Sequence, residues 1–270
     1  MGMTSHLLAS GEGWQVSDVV CTAGPSDPVF EERHEFVCIA AVSEGTFQYR
    51  THSGAALMAP GALLLGDEGT CFECGHEHAV GDRCLAFHFT SEYLEGIVAA
   101  VPGARRIAFL RPHLPPLPPL MPIIAATEAA RENGDGAALE ELALRLAGAV
   151  VAMLADMKKP ERIPSHRDER RITEALRRIE AQADQPLSLT DLACAAAASP
   201  YHFLRTFRQV VGMTPHQFVL HTRLHRAALR LRQSREPVST IAFAAGFNDL
   251  STFNRRFRRV MGVSPTAYRA

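Results

Sequence analysis

The sequence predicts an α+β chain of two domains: a small β-barrel or jelly roll with trailing helices, then an all-α domain of two helix-turn-helix units joined by a long helix. Three observations predict it. Short apolar runs punctuated by glycine fill residues 14–90, the pattern of a closed or rolled sheet. Helical spacing takes over from about residue 120. Near the C-terminus one short unit is written twice. The same fifty-position offset carries Arg205-Thr206-Phe207 onto Arg255-Arg256-Phe257, Gly212-Met213-Thr214-Pro215 onto Gly262-Val263-Ser264-Pro265, and Phe218 onto Tyr268.

In the first half, Trp14–Val19 alternates imperfectly, Phe36–Val42 is a continuous apolar run, and Thr46–Arg50 alternates cleanly. Pro60–Gly66 reads as a turn then a strand, and Cys84–Phe89 closes the set. A short helix over Ser91–Val101, capped by Ser91, follows. Residues 112–122 then hold six prolines, an extended strap in which Leu114, Leu117 and Leu120 are the packing residues. Two helices come next, about Leu120–Glu132 and about Ala137–Met157, split by Asn133-Gly134-Asp135-Gly136. The second places Leu139, Leu142, Leu146, Ala149, Met153 and Met157 at alternating steps of three and four. That seam fits either packing on its own barrel or pairing with a second copy in a homodimer. Lys158-Lys159-Pro160-Glu161-Arg162-Ile163-Pro164 breaks the helix. The predicted domains are residues 1–157 and 166–270, with 158–165 as linker.

Asp168–Ala183 reads as a supporting helix for the second domain. In the first repeat Thr190-Asp191 opens a short helix with Leu192, Ala193 and Ala196 inward, and Ser199-Pro200 starts another, Ser capping and Pro at the first helical position. Phe203, Phe207 and Val210 mark the buried side of that second helix. The second repeat uses Ile241, Ala242 and Ala245, a turn at Gly246-Phe247, then Phe253, Phe257 and Val260. Where Gly246 allows a positive φ, the first repeat has Ala197, so its turn is either strained by about 1 kcal/mol or built differently. From Pro215 to about Gln233 a continuous helix buries Phe218, Leu224, Ala228 and Leu231.

Charge divides the chain in the same place. Residues 165–270 hold 17 Arg and no Lys against 8 Asp plus Glu, a formal charge of +9, while the rest has 11 Lys plus Arg against 21 Asp plus Glu, −10. A basic half of that strength supplies sequence-independent attraction to phosphate. No basic stretch leading into an apolar one opens the chain, and no apolar run approaches a membrane span. A cytoplasmic protein is expected.

Residues Gly246-Phe247-Asn248-Asp249-Leu250-Ser251-Thr252-Phe253-Asn254-Arg255-Arg256-Phe257-Arg258-Arg259, ending Gly262-Val263-Ser264-Pro265-Thr266-Ala267-Tyr268-Arg269, resemble the signature of AraC-type (AraC/XylS) transcriptional regulators over about a hundred residues. The resemblance implies that both second helices enter major grooves of double-stranded promoter DNA. It places Tyr201, Leu204 and Arg205 in the first helix, and Leu250, Ser251, Asn254 and Arg255 in the second, against bases. His202, Arg208 and Arg258 join them as DNA contacts. It also implies a cupin-like sensory barrel at the N-terminus, dimerisation through the trailing helices and, for an activator, RNA polymerase as partner.

Cys71-Phe72-Glu73-Cys74-Gly75-His76-Glu77-His78, with Cys84 and His88 beyond, is the most unusual local feature. In a reducing compartment such a cluster reads as a metal or reactive-thiol site rather than a disulfide. Cys71, Cys74, His76, His78 and Cys84 offer the thiolate and imidazole donors that zinc or another transition metal favours. On a strand His76 would share a face with His78, and Cys84 with His88, while Cys71 and Cys74 need a turn between them. The alternatives are electrophile sensing, or a barrel that binds a small molecule and uses its cysteines as buried apolar groups. Cys21, Cys38 and Cys194 read as core, and His34, His52 and His113 show no partner. The rival function is a metal-dependent cupin-type enzyme fused to a DNA-binding tail, with His76, His78 and Cys84 on a catalytic ion; a purely architectural DNA-binding protein with structural zinc is a third. No residue near the cluster offers an obvious general base.

Overall fold

The computed structural model describes residues 2–105, 108–156 and 165–269. Met157 and residues 158–164 of the linker predicted at 158–165 lie outside the described residues, and Ser165 caps the helix that follows. The first half supplies β1 (Met3–Gly11), β2 (Trp14–Cys21), β3 (Phe30–Arg33), β4 (Val37–Gly45), β5 (Phe47–Thr51), β6 (Gly54–Met58), β7 (Leu63–Gly66), β8 (Cys71–Gly75), β9 (Asp82–Phe89), α1 (Ser91–Ala100), β10 (His113–Leu114), α2 (Met121–Asn133) and α3 (Gly136–Asp156). The strands form two antiparallel sheets, ordered β1-β2-β9-β4-β7-β10 and β3-β8-β5-β6.

Strand side chains alternate between faces, and at the centre of the larger sheet both faces are covered. Val37, Ile39 and Ala41 of β4 and Leu85, Phe87 and Phe89 of β9 join one core with the helices. Their neighbours Cys38, Ala40, Val42, Cys84 and Ala86 join a second core with Phe47, Tyr49, Met58 and Cys74 of the smaller sheet. That is why these stretches read as continuous apolar runs: burial on both sides erases alternation.

The trailing helices complete the first core. Leu139, Leu142 and Leu146 of α3 are buried within it, and Ala149 and Met153 pack at its edge. The seam that suggested pairing with a second copy is therefore occupied by the chain's own sheet. The cap of α1 is Thr90, whose hydroxyl accepts from the Tyr93 N–H at 3.2 Å, one residue before the predicted Ser91. In the proline strap Leu114 and Leu120 are fully buried and Leu117 half so, as its spacing suggested.

The second half is all helix: α4 (His166–Gln182), α5 (Leu189–Ala195), α6 (Pro200–Val211), α7 (Pro215–Gln233), α8 (Val238–Ala244), α9 (Leu250–Met261) and α10 (Pro265–Arg269). Long α7, 19 residues and so roughly 28 Å, serves both repeats. Its Phe218 and Val219 pack with α4, α5 and α6 around Phe203 and Phe207. Its Leu224, Ala228 and Leu231 pack with α8, α9 and α10 around Phe253 and Phe257. The two halves also share cores: Leu57 and Ala59 at β6 sit in the first helical cluster, and Met121 and Ala125 of α2 in the second. Gly212, at φ 83°, packs so closely on Pro115 of the strap that a Cβ there would overlap its ring. Among the described residues no helix is long and apolar enough to cross a membrane.

Candidate functional site

Each repeat ends in a capped helix with one buried and one exposed face. Ser199 caps α6 through the His202 N–H at 3.3 Å, with Pro200 at the first position. Asp249 caps α9, its carboxylate accepting from the N–H groups of Ser251 at 3.1 Å and Thr252 at 2.7 Å. Hydrogen bonds to Thr252 and Ser251 hold that carboxyl below its ordinary range. With Phe203, Phe207 and Val210 turned inward, α6 exposes His202, Arg205 and Arg208 and half-exposes Leu204. Likewise α9 exposes Ser251, Asn254, Arg255 and Arg258 and half-exposes Leu250. The ring of His202 is tied to Thr206 at 2.9 Å. The Tyr201 side chain lies outside the described residues.

Five other arginines of this half have structural tasks. Arg171 donates to the Ala197 carbonyl, Arg226 to that of Glu180 and Arg269 to that of Glu236. Arg230 pairs with Glu236 at 2.7 Å, and Arg232 lies over the Tyr268 ring. The exposed cations of α6 and α9 are thus sorted by position: equivalent residues of the two repeats, Arg205 with Arg255 and Arg208 with Arg258, project from equivalent faces.

The turns differ as the sequence suggested. Gly246 has φ 89° and Ala197 φ 47°, so the first repeat does place an alanine in the left-handed region. Gly246 also lies against the loop after α4, where an added Cβ would stand 2.6 Å from the Asp184 carbonyl oxygen.

Between the two sheets lies a cavity of about 950 Å³, walled by Phe30, Phe47, Leu64 and Phe72. Four of the six cysteines line it: Cys21, Cys38, Cys74 and Cys84. Burial pushes the Cys38 thiol up to about 12 and holds Cys74 and Cys84 well above the usual range. These groups are thiols, not thiolates, and are poor nucleophiles as they stand. His34 at the cavity wall is held down to about 4 by burial. Its Nε2 donates to the Tyr49 hydroxyl at 2.8 Å, which donates on to the Leu65 carbonyl at 3.2 Å.

The predicted ligand cluster is divided. Cys71 and Cys74 stand on β8 with no turn between them, so Cys71 is exposed and Cys74 buried on the opposite face. The strand ends at Gly75, so His76 and His78 do not share a face either. His78 turns toward His166 at the start of α4, ring centroids 4.9 Å apart, where Glu77 bonds both His166 and Arg50. His76 turns inward, its Nε2 donating to Asp82 Oδ1 at 2.6 Å. Cys84 and His88 do share a face, the one lining the cavity. Two residues passed over in the sequence join His76: Cys21 and Asp82, with one ligand atom of each within 4.8 Å of the others. Cys194 is exposed on α5 rather than in the core.

A helix-turn-helix domain family model matches residues 192–270. LumQ of Photobacterium leiognathi, described as a probable transcriptional regulator, is 36% identical over 90 residues, 33% of this chain and 36% of LumQ. The chain thus spans about a third of that relative's length. The TetD protein of transposon Tn10 from Escherichia coli is 35% identical over 98 residues, 36% of this chain and 71% of TetD. A solved AraC-type regulator from Chromobacterium violaceum is 31% identical, with 37% of this chain and 88% of that chain covered at a TM-score of 0.35. The chain belongs to the AraC-type family of transcriptional regulators. The family match lies wholly in the second half of the chain and identifies that half as the DNA-binding part of a regulator. In this AraC-type chain the matched residues include all of α6 to α10, hence every candidate DNA contact.

Proposed function

We propose that this AraC-type chain binds promoter DNA sequence-specifically through α6 and α9, and that its N-terminal half, a cupin-like barrel spanning residues 1–157, takes an effector that alters that binding. Residues 166–270 carry the two reading heads, with 158–165 as the linker. The observation that carries the reading is the duplicated pair of capped helices showing equivalent arginines to solvent in a half of charge +9. Phosphate attraction supplies affinity and docks the heads. Arg205 and Arg255 read guanine edges, Asn254 an adenine, and half-exposed Leu204 and Leu250 meet thymine methyl groups. Two heads on one chain suffice for two groove contacts, so the reading does not depend on α3 pairing with a second copy.

The sensing side rests on the cavity, whose size is that of a small-molecule pocket. The halves share hydrophobic cores at Leu57 with α6 and at Met121 with α9. An effector that favours one arrangement of the sheets can therefore act on the setting of each head, by the difference in its affinity for the two arrangements. Selection of genomic fragments by the full chain, followed by anisotropy titration of the best fragment, tests the DNA reading. Arg205→Ala and Arg255→Ala should each weaken specific binding by about 1–3 kcal/mol and relax base preference at one position. Equal loss on random DNA would make them phosphate contacts; no preference for any fragment would overturn the proposal.

A further inference from the structure

We propose that Cys21, His76, Asp82 and Cys84 form a binding site for one borderline divalent transition-metal ion, zinc being the type, in the wall of the cavity between the sheets. The sheet register builds it. Cys21 at the end of β2 stands opposite Asp82 at the start of β9. Cys84, two residues along, shares the face of Asp82. Its thiol donates to Asp82 Oδ2 at 3.6 Å. His76 arrives from the segment after β8 and donates Nε2–H to Asp82 Oδ1.

Two observations separate this group from an ordinary core cluster. The His76 side chain is only 1% exposed, yet its Nδ1 has no hydrogen-bond partner among the described residues. A buried ring nitrogen without a partner costs about 1–3 kcal/mol of desolvation, so the ring's hydrogen bonding is incomplete as it stands, and an ion would take the place of the Nε2–H bond to Asp82. The donors also converge: one ligand atom each from Cys21, His76 and Asp82 fall within 4.8 Å, close enough for small side-chain rotations to bring them to one ion. Two sulfurs, an imidazole and a carboxylate make a tetrahedral set suited to zinc or cobalt and poor for magnesium or calcium.

Binding is balanced by proton loss: the Cys21 and Cys84 thiols each release a proton as their sulfurs bond the ion, with Asp82 ionised and His76 neutral. Ligation supplies what burial withholds, since these thiols stay protonated without a cation. Cys74 and His88 remain on the cavity wall, outside the set. That the ion serves as the sensed signal, or as the anchor for an organic one, rests on the sensory reading above; that it binds does not.

The test is cobalt titration of the full chain after chelation and reduction, followed by elemental analysis of the zinc form. One equivalent of Co²⁺ should produce a thiolate-to-cobalt charge-transfer band together with visible bands of tetrahedral intensity, displaced by Zn²⁺. Cys21→Ser and His76→Gln should each weaken binding by at least the roughly 10–100-fold typical of losing even a supporting partner. Cys84→Ser should shrink the charge-transfer band, and Cys71→Ser should leave spectrum and affinity unchanged. Absence of a thiolate band at one equivalent in the unsubstituted chain overturns the proposal without reference to any variant. Loss of the band in Cys71→Ser, or a band of undiminished intensity and affinity in Cys21→Ser, overturns this ligand set. Each variant's DNA affinity is measured in parallel, so failure of the DNA reading and failure of the metal site are seen separately.

Discussion

Ala197 and Gly246 occupy the same place in the two repeats and should respond to substitution in opposite directions. Ala197 sits at φ 47°, where an L-residue pays about 1–2 kcal/mol. Replacing it with glycine removes that strain but gives the unfolded chain about 0.4–1 kcal/mol more freedom. Ala197→Gly should therefore stabilise the chain by about 0.5–1 kcal/mol, raising Tm by roughly 1–4 °C at this size. At Gly246, φ is 89° and a Cβ would lie 2.6 Å from the Asp184 carbonyl oxygen and 2.7 Å from its Cα. Backbone rather than a flexible side chain is in the way, so Gly246→Ala carries both the φ cost and displacement of the loop joining α4 to α5. The expected loss is about 2 kcal/mol or more. Calorimetry and urea unfolding of the three proteins measure both changes. If Ala197→Gly destabilises, or the two substitutions move Tm in the same direction, the equivalence of the two turns is wrong.

Other substitutions test the packing and the charge sorting. Leu142→Ala, removing a buried side chain between α3 and the sheet, should cost about 2–5 kcal/mol without changing the oligomeric state; a shift in sedimentation would restore that seam to pairing. Acid should destabilise the chain, because His221 is held down to about 3 by burial, helped by His225. Its folded value lies below the unfolded 6.5 or so, so the contribution is complete above about pH 6.5 and falls with pH; at pH 5 about 2 kcal/mol is gone. His221→Phe should flatten that part of the urea-midpoint profile, and an unchanged profile would contradict it. Arg258→Ala should weaken binding to specific and random DNA alike and reduce the salt slope by about one; a loss confined to specific DNA would make it a base contact.

What the sequence disclosed and what it withheld follow from where each signal is stored. The heads were legible because capping and turn chemistry are local: Ser199-Pro200 and Asp249 start helices where they stand, and Phe203 and Phe253 mark the buried side. The central strands showed as apolar runs because two cores bury them. Strands β1, β3, β6 and β8 did not show. β1 is exposed along most of its length, β3 is mainly Glu-Glu-Arg, and β6 opens Gly-Ala-Ala. β8 was read as a ligand-bearing turn because its spacing of cysteines imitates one. The partners of His76 lay beyond any spacing rule, since β-sheet register, not proximity along the chain, sets Cys21 against Asp82. The α3 repeat was seen correctly as a seam, but periodicity alone does not say which surface a seam meets.

The central claim, that one chain sets two matched helices into neighbouring grooves, is met most directly by hydroxyl-radical footprinting of the full chain on its best selected fragment. The account predicts two protected patches on one face of the duplex about one helical turn apart, with the α7 spacer shorter than the roughly 34 Å repeat so that the DNA bends toward the protein. Arg205→Ala and Arg255→Ala should each thin a different patch. A single patch, or two patches that both variants weaken equally, would contradict it.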